Sequence, residues 1–197
     1  MRLIIPALVV CLFSYGYLPA VAKDQTPCVI KEVLPISFAD TPLPIRAGPK
    51  VITSGRVPHI QLGVVPDPSL NDQLNKLVYT LPNIEEHPTI VSLPGAKGMW
   101  LADDVPVKHP KAIAAGREFA HIHPDGSLHA PLSYKRALEV EKNGWGELHP
   151  WSNTREGWEG FVMLYSANTE DQLQVLIQLV TESYNYVTGL SVAVPEC

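Results

Sequence analysis

A chain of 197 residues has room for one ordinary domain, since domains usually run to about 100–200 residues. Its 46% hydrophobic and 18% charged residues exclude a disordered polymer, and 15 basic against 20 acidic residues leave no cationic excess for a nucleic acid. Nineteen prolines, about double the usual ~5%, argue against a helix bundle and for long extended connections.

Met1-Arg2 precedes an uncharged, mostly apolar run from Leu3 to Ala22 that closes on Ala20-Val21-Ala22, a small-x-small cleavage pattern. Residues 1–22 are expected to be a signal peptide, with an uncleaved membrane anchor as the alternative. Both readings place the domain outside the cytoplasm, secreted or periplasmic in the first case and membrane-anchored in the second. Cys11 lies within this segment, leaving Cys28 and Cys197. In an oxidising compartment these two are expected to form a disulfide between the ends of the domain, the alternative being two free thiols.

Residues 23–68 read as an extended Pro-rich arm with one or two short strands, at Val51-Ile52-Thr53 and Ile60-Gln61-Leu62. Ser69 and the spacing of Leu70, Leu74, Leu77 and Leu81 then predict a capped amphipathic helix that stops before Pro82. Strands are expected at Pro88–Leu93 and Gly98–Ala102. A hairpin follows, Glu118–His123 and Ser127–Ser133, turning on Pro124-Asp125-Gly126: proline presets φ, aspartate tolerates the turn, and glycine accepts the left-handed position. A three-residue loop places His121 opposite His129. One face then gathers His121, His123, Ser127 and His129, and the other Ala120, Ile122, Leu128, Ala130 and Leu132. Ser133 caps a short helix that Asn143-Gly144 ends, Phe161–Tyr165 is a strand, and Thr169 with Gln172 opens a final helix ending at Gly189.

The three hairpin histidines carry the chemistry. As neutral imidazoles, His121, His123 and His129 are a metal-ligand set with an open position, suited to a divalent metal such as Zn. Without a metal they are general bases and donors to an oxygen-rich substrate. The structural alternative is a hydrated polar sheet face. Asp125 could orient one ring, and Ser127 after the turn serves the turn before it serves as a nucleophile. Trp145, Trp151 and Trp158, with His149, could wall a pocket for a flat ligand or simply plug one end of the core. Arg117, just before the histidine strand, could pair with a ligand oxyanion or make a surface ion pair.

The run Gly116-Arg117-Glu118-Phe119-Ala120-His121-Ile122-His123-Pro124-Asp125-Gly126-Ser127-Leu128-His129, followed by Leu132-Ser133, Gly144-Trp145-Gly146, His149-Pro150 and the Phe161–Tyr165 strand, resembles the luciferase domain of the fungal luciferase family. Similar domains also occur in proteins with no known light emission. The resemblance implies oxidation of a hydroxylated styrylpyrone by molecular oxygen, with no known metal or organic cofactor. On that reading His121 or His123 deprotonates a planar hydroxylated pyrone or phenolic compound, His129 and Arg117 stabilise oxyanion charge, and Ser127, Trp145, His149 and Trp151 contact the substrate. The competing expectation is a non-catalytic domain that binds a small molecule or metal, or docks a protein. The expected fold class is α+β: a mainly antiparallel sheet with a central His-bearing hairpin and helices on one face, spanning residues 69–189, with 190–197 as a tail.

Overall fold

The computed structural model describes residues 41–195, so the segment expected to be a signal peptide, Cys28 and Cys197 lie outside the described residues. Two short strands, β1 (Ile52–Thr53) and β2 (Gln61–Leu62), pair with each other in the segment expected to be an arm. Helix α1 (Pro68–Val78) follows. Its cap is Asp67 rather than Ser69: Asp67 accepts from the Ser69 and Leu70 N–H groups, while Pro68, which has no N–H to satisfy, occupies the first turn.

A six-stranded sheet forms the centre. It comprises β3 (Ile84–Pro88), β4 (Lys97–Leu101), β5 (Glu118–Ile122), β6 (Leu128–Pro131), β7 (Gly146–Leu148) and β8 (Phe161–Leu164), in the spatial order β3-β4-β5-β6-β8-β7. Every neighbouring pair is antiparallel. β3 begins and ends earlier than the Pro88–Leu93 expectation, and Thr89–Leu93 instead leaves the sheet edge. The Thr89 hydroxyl and Ile90 N–H are taken by Glu118 rather than by a ladder.

Helices α2 (Tyr134–Lys142) and α3 (Glu170–Thr188) have the expected caps. Ser133 accepts from Arg136 N–H, Thr169 accepts from Gln172 N–H, and Gly189 closes α3 at φ 75°. The apolar stripe of α3 packs with Leu70, Leu74 and Leu77 of α1 and with Ala120, Ile122, Leu128, Ala130, Val162 and Leu164 of the sheet. Burying each large aliphatic side chain contributes about 1.5–3 kcal/mol, so this helix-covered face is the main source of stability. The α+β fold and the central hairpin thus stand as the sequence predicts.

The hairpin register follows from its turn. Gly126 has φ 79°, which L side chains rarely adopt, and a Cβ there would lie 2.0 Å from Asn71 Oδ1. With this turn made, His123 N–H donates to the Ser127 carbonyl and His121 pairs with His129.

Candidate active site

The histidine face is buried rather than open to bulk solvent. His121, His123 and His129 are each 4% exposed, because Val57–His59, the 89–93 segment and the 149–161 connection close over them. These elements bound a cavity of about 300 Å³ whose wall includes His59, His149, Trp151, Arg155, Trp158 and Phe161. The rings form a continuous aromatic cluster: His129 lies 5.1 Å from His121, 4.9 Å from His123 and 5.1 Å from His149, centroid to centroid. Phe161 stacks on Trp158 at 4.1 Å, and the Arg155 guanidinium carbon sits 4.0 Å from the Trp158 ring centroid.

A β-bulge brings in a carboxylate that strand alternation would send to the opposite face. Met99 pairs with Ala120 but Trp100 pairs with Glu118, leaving Phe119 as the extra residue. Phe119 therefore turns into the core, against Tyr184, and Glu118 turns toward the histidines. Glu118, fully buried, accepts from His121 Nδ1 at 3.0 Å, Thr89 Oγ1 at 2.7 Å and Ile90 N–H at 2.9 Å. Burial opposes its ionisation, but these hydrogen bonds outweigh burial and hold its pKa below the ordinary carboxylate value.

Each ring has a fixed orientation. His123 Nδ1 lies 2.9 Å from Ser127 Oγ, and the Ser127 hydroxyl donates to Asp125 Oδ1 at 2.7 Å. With its hydrogen committed to Asp125, Ser127 must accept from His123 Nδ1–H, which leaves Nε2 as the bare nitrogen. His149 is the reverse. Its Nδ1 accepts the Trp151 backbone N–H at 3.1 Å, so Nε2 carries the proton.

His129 is tied on both sides. Its Nδ1 lies 3.0 Å from His121 Nε2, and its Nε2 lies 3.1 Å from His59 Nδ1. His59 Nε2 in turn reaches Glu147 Oε1 at 2.7 Å. Glu147 also accepts from Thr53 and Tyr165, and these bonds outweigh its burial to lower its pKa. Burial, reinforced by neighbouring histidines, moves His123 down to about 4, His149 to about 4, and His129 well below the usual imidazole value. His123, His129 and His149 are therefore neutral rings near neutrality.

The fold brings together His121, His123, His129, His149 and Trp151, with Ser127 behind His123. It does not bring Arg117 or Trp145 to the cavity. The Arg117 guanidinium turns to the carbonyls of Leu101, Ala102 and Val105, at 2.6–2.8 Å, and Arg155 is the cation at the cavity instead. Trp145 belongs to the helix-side core, its indole N–H donating to Pro44 O at 2.6 Å. Glu118, His59, Glu147 and Arg155 were missed by sequence reasoning. The bulge hides Glu118, and His59 lies 70 residues from its partner His129, beyond any local pattern.

Residues 116–183, which hold the hairpin, α2, the aromatic loop and most of α3, match the luciferase domain family. The chain is similar to a luciferase of Armillaria gallica, 29% identical over 189 residues that cover 85% of this chain and 70% of that protein. It is also similar to a luciferase of Neonothopanus nambi, 31% identical over 107 residues covering 48% of this chain and 39% of that protein, so this second match spans well under two thirds of the relative. No solved structure matches. The matched segment, residues 116–183, is the one that places His121, His123, His129 and His149 around one cavity, so the part of the chain that resembles the luciferase domain family is the part that builds the site.

Proposed function

We propose that this protein is an exported luciferase-like oxygenase that binds a planar hydroxylated pyrone or phenolic molecule in the histidine cavity and oxidises it with molecular oxygen. The observation that carries this reading is an aromatic-walled cavity around which the imidazoles are oriented by the buried Glu118 and the half-buried Asp125 and Glu147. A flat ring would lie against Trp158 and Trp151, which offer large stacking area. Its acidic hydroxyl would lose a proton to a bare imidazole nitrogen of the His121, His123 and His129 cluster. The resulting oxyanion would find donors in Arg155 and in His149 Nε2–H. The electron-rich anion is then oxidised, with O2 reduced to the peroxide level as a carbon–oxygen bond forms. The family resemblance supports a hydroxylated styrylpyrone as the first substrate to try, and light output separates a luciferase from a dark oxygenase.

Oxygen uptake and light from the purified chain with a hydroxylated styrylpyrone test the proposal. Uptake that His123→Ala abolishes, in a folded protein, supports it. The competing reading, a domain that binds such a ligand without chemistry, is favoured by the closed cavity equally well; it predicts quenching of tryptophan fluorescence by the same compound with no oxygen consumed.

A further inference from the structure

We infer that His121, His123 and His129 form a three-histidine site for a divalent transition-metal ion, held by an outer shell of Glu118, Ser127–Asp125 and His59–Glu147. The inference goes beyond the proposed reaction and does not depend on it. Working inward from the carboxylates fixes where the lone pairs point. Glu118 can only accept, so a neutral His121 donates from Nδ1 and leaves Nε2 bare. Glu147 likewise accepts from His59 Nε2, a neutral His59 then accepts at Nδ1 from His129 Nε2–H, and His129 Nδ1 is left bare. His123 Nε2 is bare for the reason given above.

Bare nitrogens of His121 and His129 thus face each other at 3.0 Å. Two lone pairs at that distance repel unless a proton or a metal ion lies between them, and a metal ion is the occupant that also uses the bare nitrogen of His123. Ligand nitrogens about 2.0–2.1 Å from a shared ion stand roughly 3.0–3.4 Å apart, so the spacing suits one. One ring nitrogen from each of the three residues lies within 4.8 Å of the other two, close enough for the set to share one ion after ring rotation. Each opposite nitrogen donates toward a carboxylate, directly or through one intermediate, which is the outer-shell arrangement that orients metal-bound histidines. Imidazole ligands suit Zn, Cu, Fe or Ni, and three of them leave at least one position open to the cavity.

A second grouping, His59, His129 and His149, is also close enough to hold an ion. His149 disqualifies it. Its Nδ1 is occupied by the Trp151 N–H, and its Nε2 keeps the proton.

Chelator-stripped protein should be titrated with Co2+ and then Zn2+, followed by calorimetry and by visible ligand-field absorption. The expected result is one ion per chain with cobalt bands of a nitrogen-ligated site, displaced by Zn2+. His129→Ala should abolish them. His123→Ala, which strands the fewest buried partners, is the second variant should His129→Ala fail to fold. Glu118→Gln and Ser127→Ala should weaken binding 10–100-fold, and His149→Gln should leave the stoichiometry at one. Absence of stoichiometric binding to folded wild-type chain, or binding unchanged in His123→Ala and His129→Ala, overturns the inference. Full oxygen uptake by metal-free protein overturns it as a working site while leaving the oxygenase reading intact. A bound ion without uptake sustains the site and removes that reading.

Discussion

Two buried polar clusters in this protein differ in where their hydrogen bonds end. On the helix side, Arg136 is held by both oxygens of Glu182 at 2.6 and 2.7 Å, and also by Glu139 at 2.7 Å and the Thr41 carbonyl. The charges meet within the cluster and tie α2 to α3 and to the residues before β1. In the cavity, by contrast, the outer nitrogens of the rings are matched by carboxylates and the inner ones face one another or open space. A cluster whose charges meet does structural work, whereas one that leaves acceptors aimed into a cavity is suited to receive a ligand.

The contrast can be broken most sharply at His123. His123→Ala is expected to lower turnover about 10²–10⁴-fold, the range for loss of a positioned base or ligand, while changing stability by no more than about 2 kcal/mol. Oxygen uptake and urea unfolding of the same preparation check both halves. Arg136→Ala should do the opposite: it leaves Glu182 buried without its cation and should destabilise by about 3–5 kcal/mol, with turnover per folded molecule unchanged. Unfolding midpoints of comparable size for the two variants would erase the distinction.

A smaller effect is expected at Ser127→Ala. Removing the hydroxyl unlinks His123 from Asp125 and frees its tautomer, for a loss of about 10–100-fold in turnover that Ser127→Thr should partly restore. Little effect on turnover is expected at Arg117→Ala. Its hydrogen bonds go to three main-chain carbonyls, so we expect a stability loss of about 1–3 kcal/mol and turnover within about 2-fold of wild type. A hundredfold loss there would reinstate Arg117 as a substrate contact.

What the sequence discloses and what it hides divide along local and non-local structure. The Pro124-Asp125-Gly126 turn dictates the hairpin register, so the opposition of His121 and His129 and the apolar face of Ala120, Ile122 and Leu128 are readable without coordinates. The caps of α2 and α3 are equally local. Glu118 is not readable, because its side is set by a bulge that exists only when β5 pairs with β4. His59 and Glu147 reach the cluster through contacts spanning 70 and 88 residues. Arg117 and Arg155 trade places for a related reason: the carbonyls of Leu101, Ala102 and Val105, at and just beyond the end of β4, capture the first, while the second stacks on Trp158 at the cavity. Neither competition is visible in spacing.

Long-range 15N–1H NMR of the histidine side chains at neutral pH tests most directly the claim that the fold aims bare nitrogens into the cavity. The account predicts that His123 carries its proton on Nδ1 with Nε2 unprotonated, and that His149 carries its proton on Nε2. A proton on Nε2 of His123, or on both of its nitrogens, would contradict it.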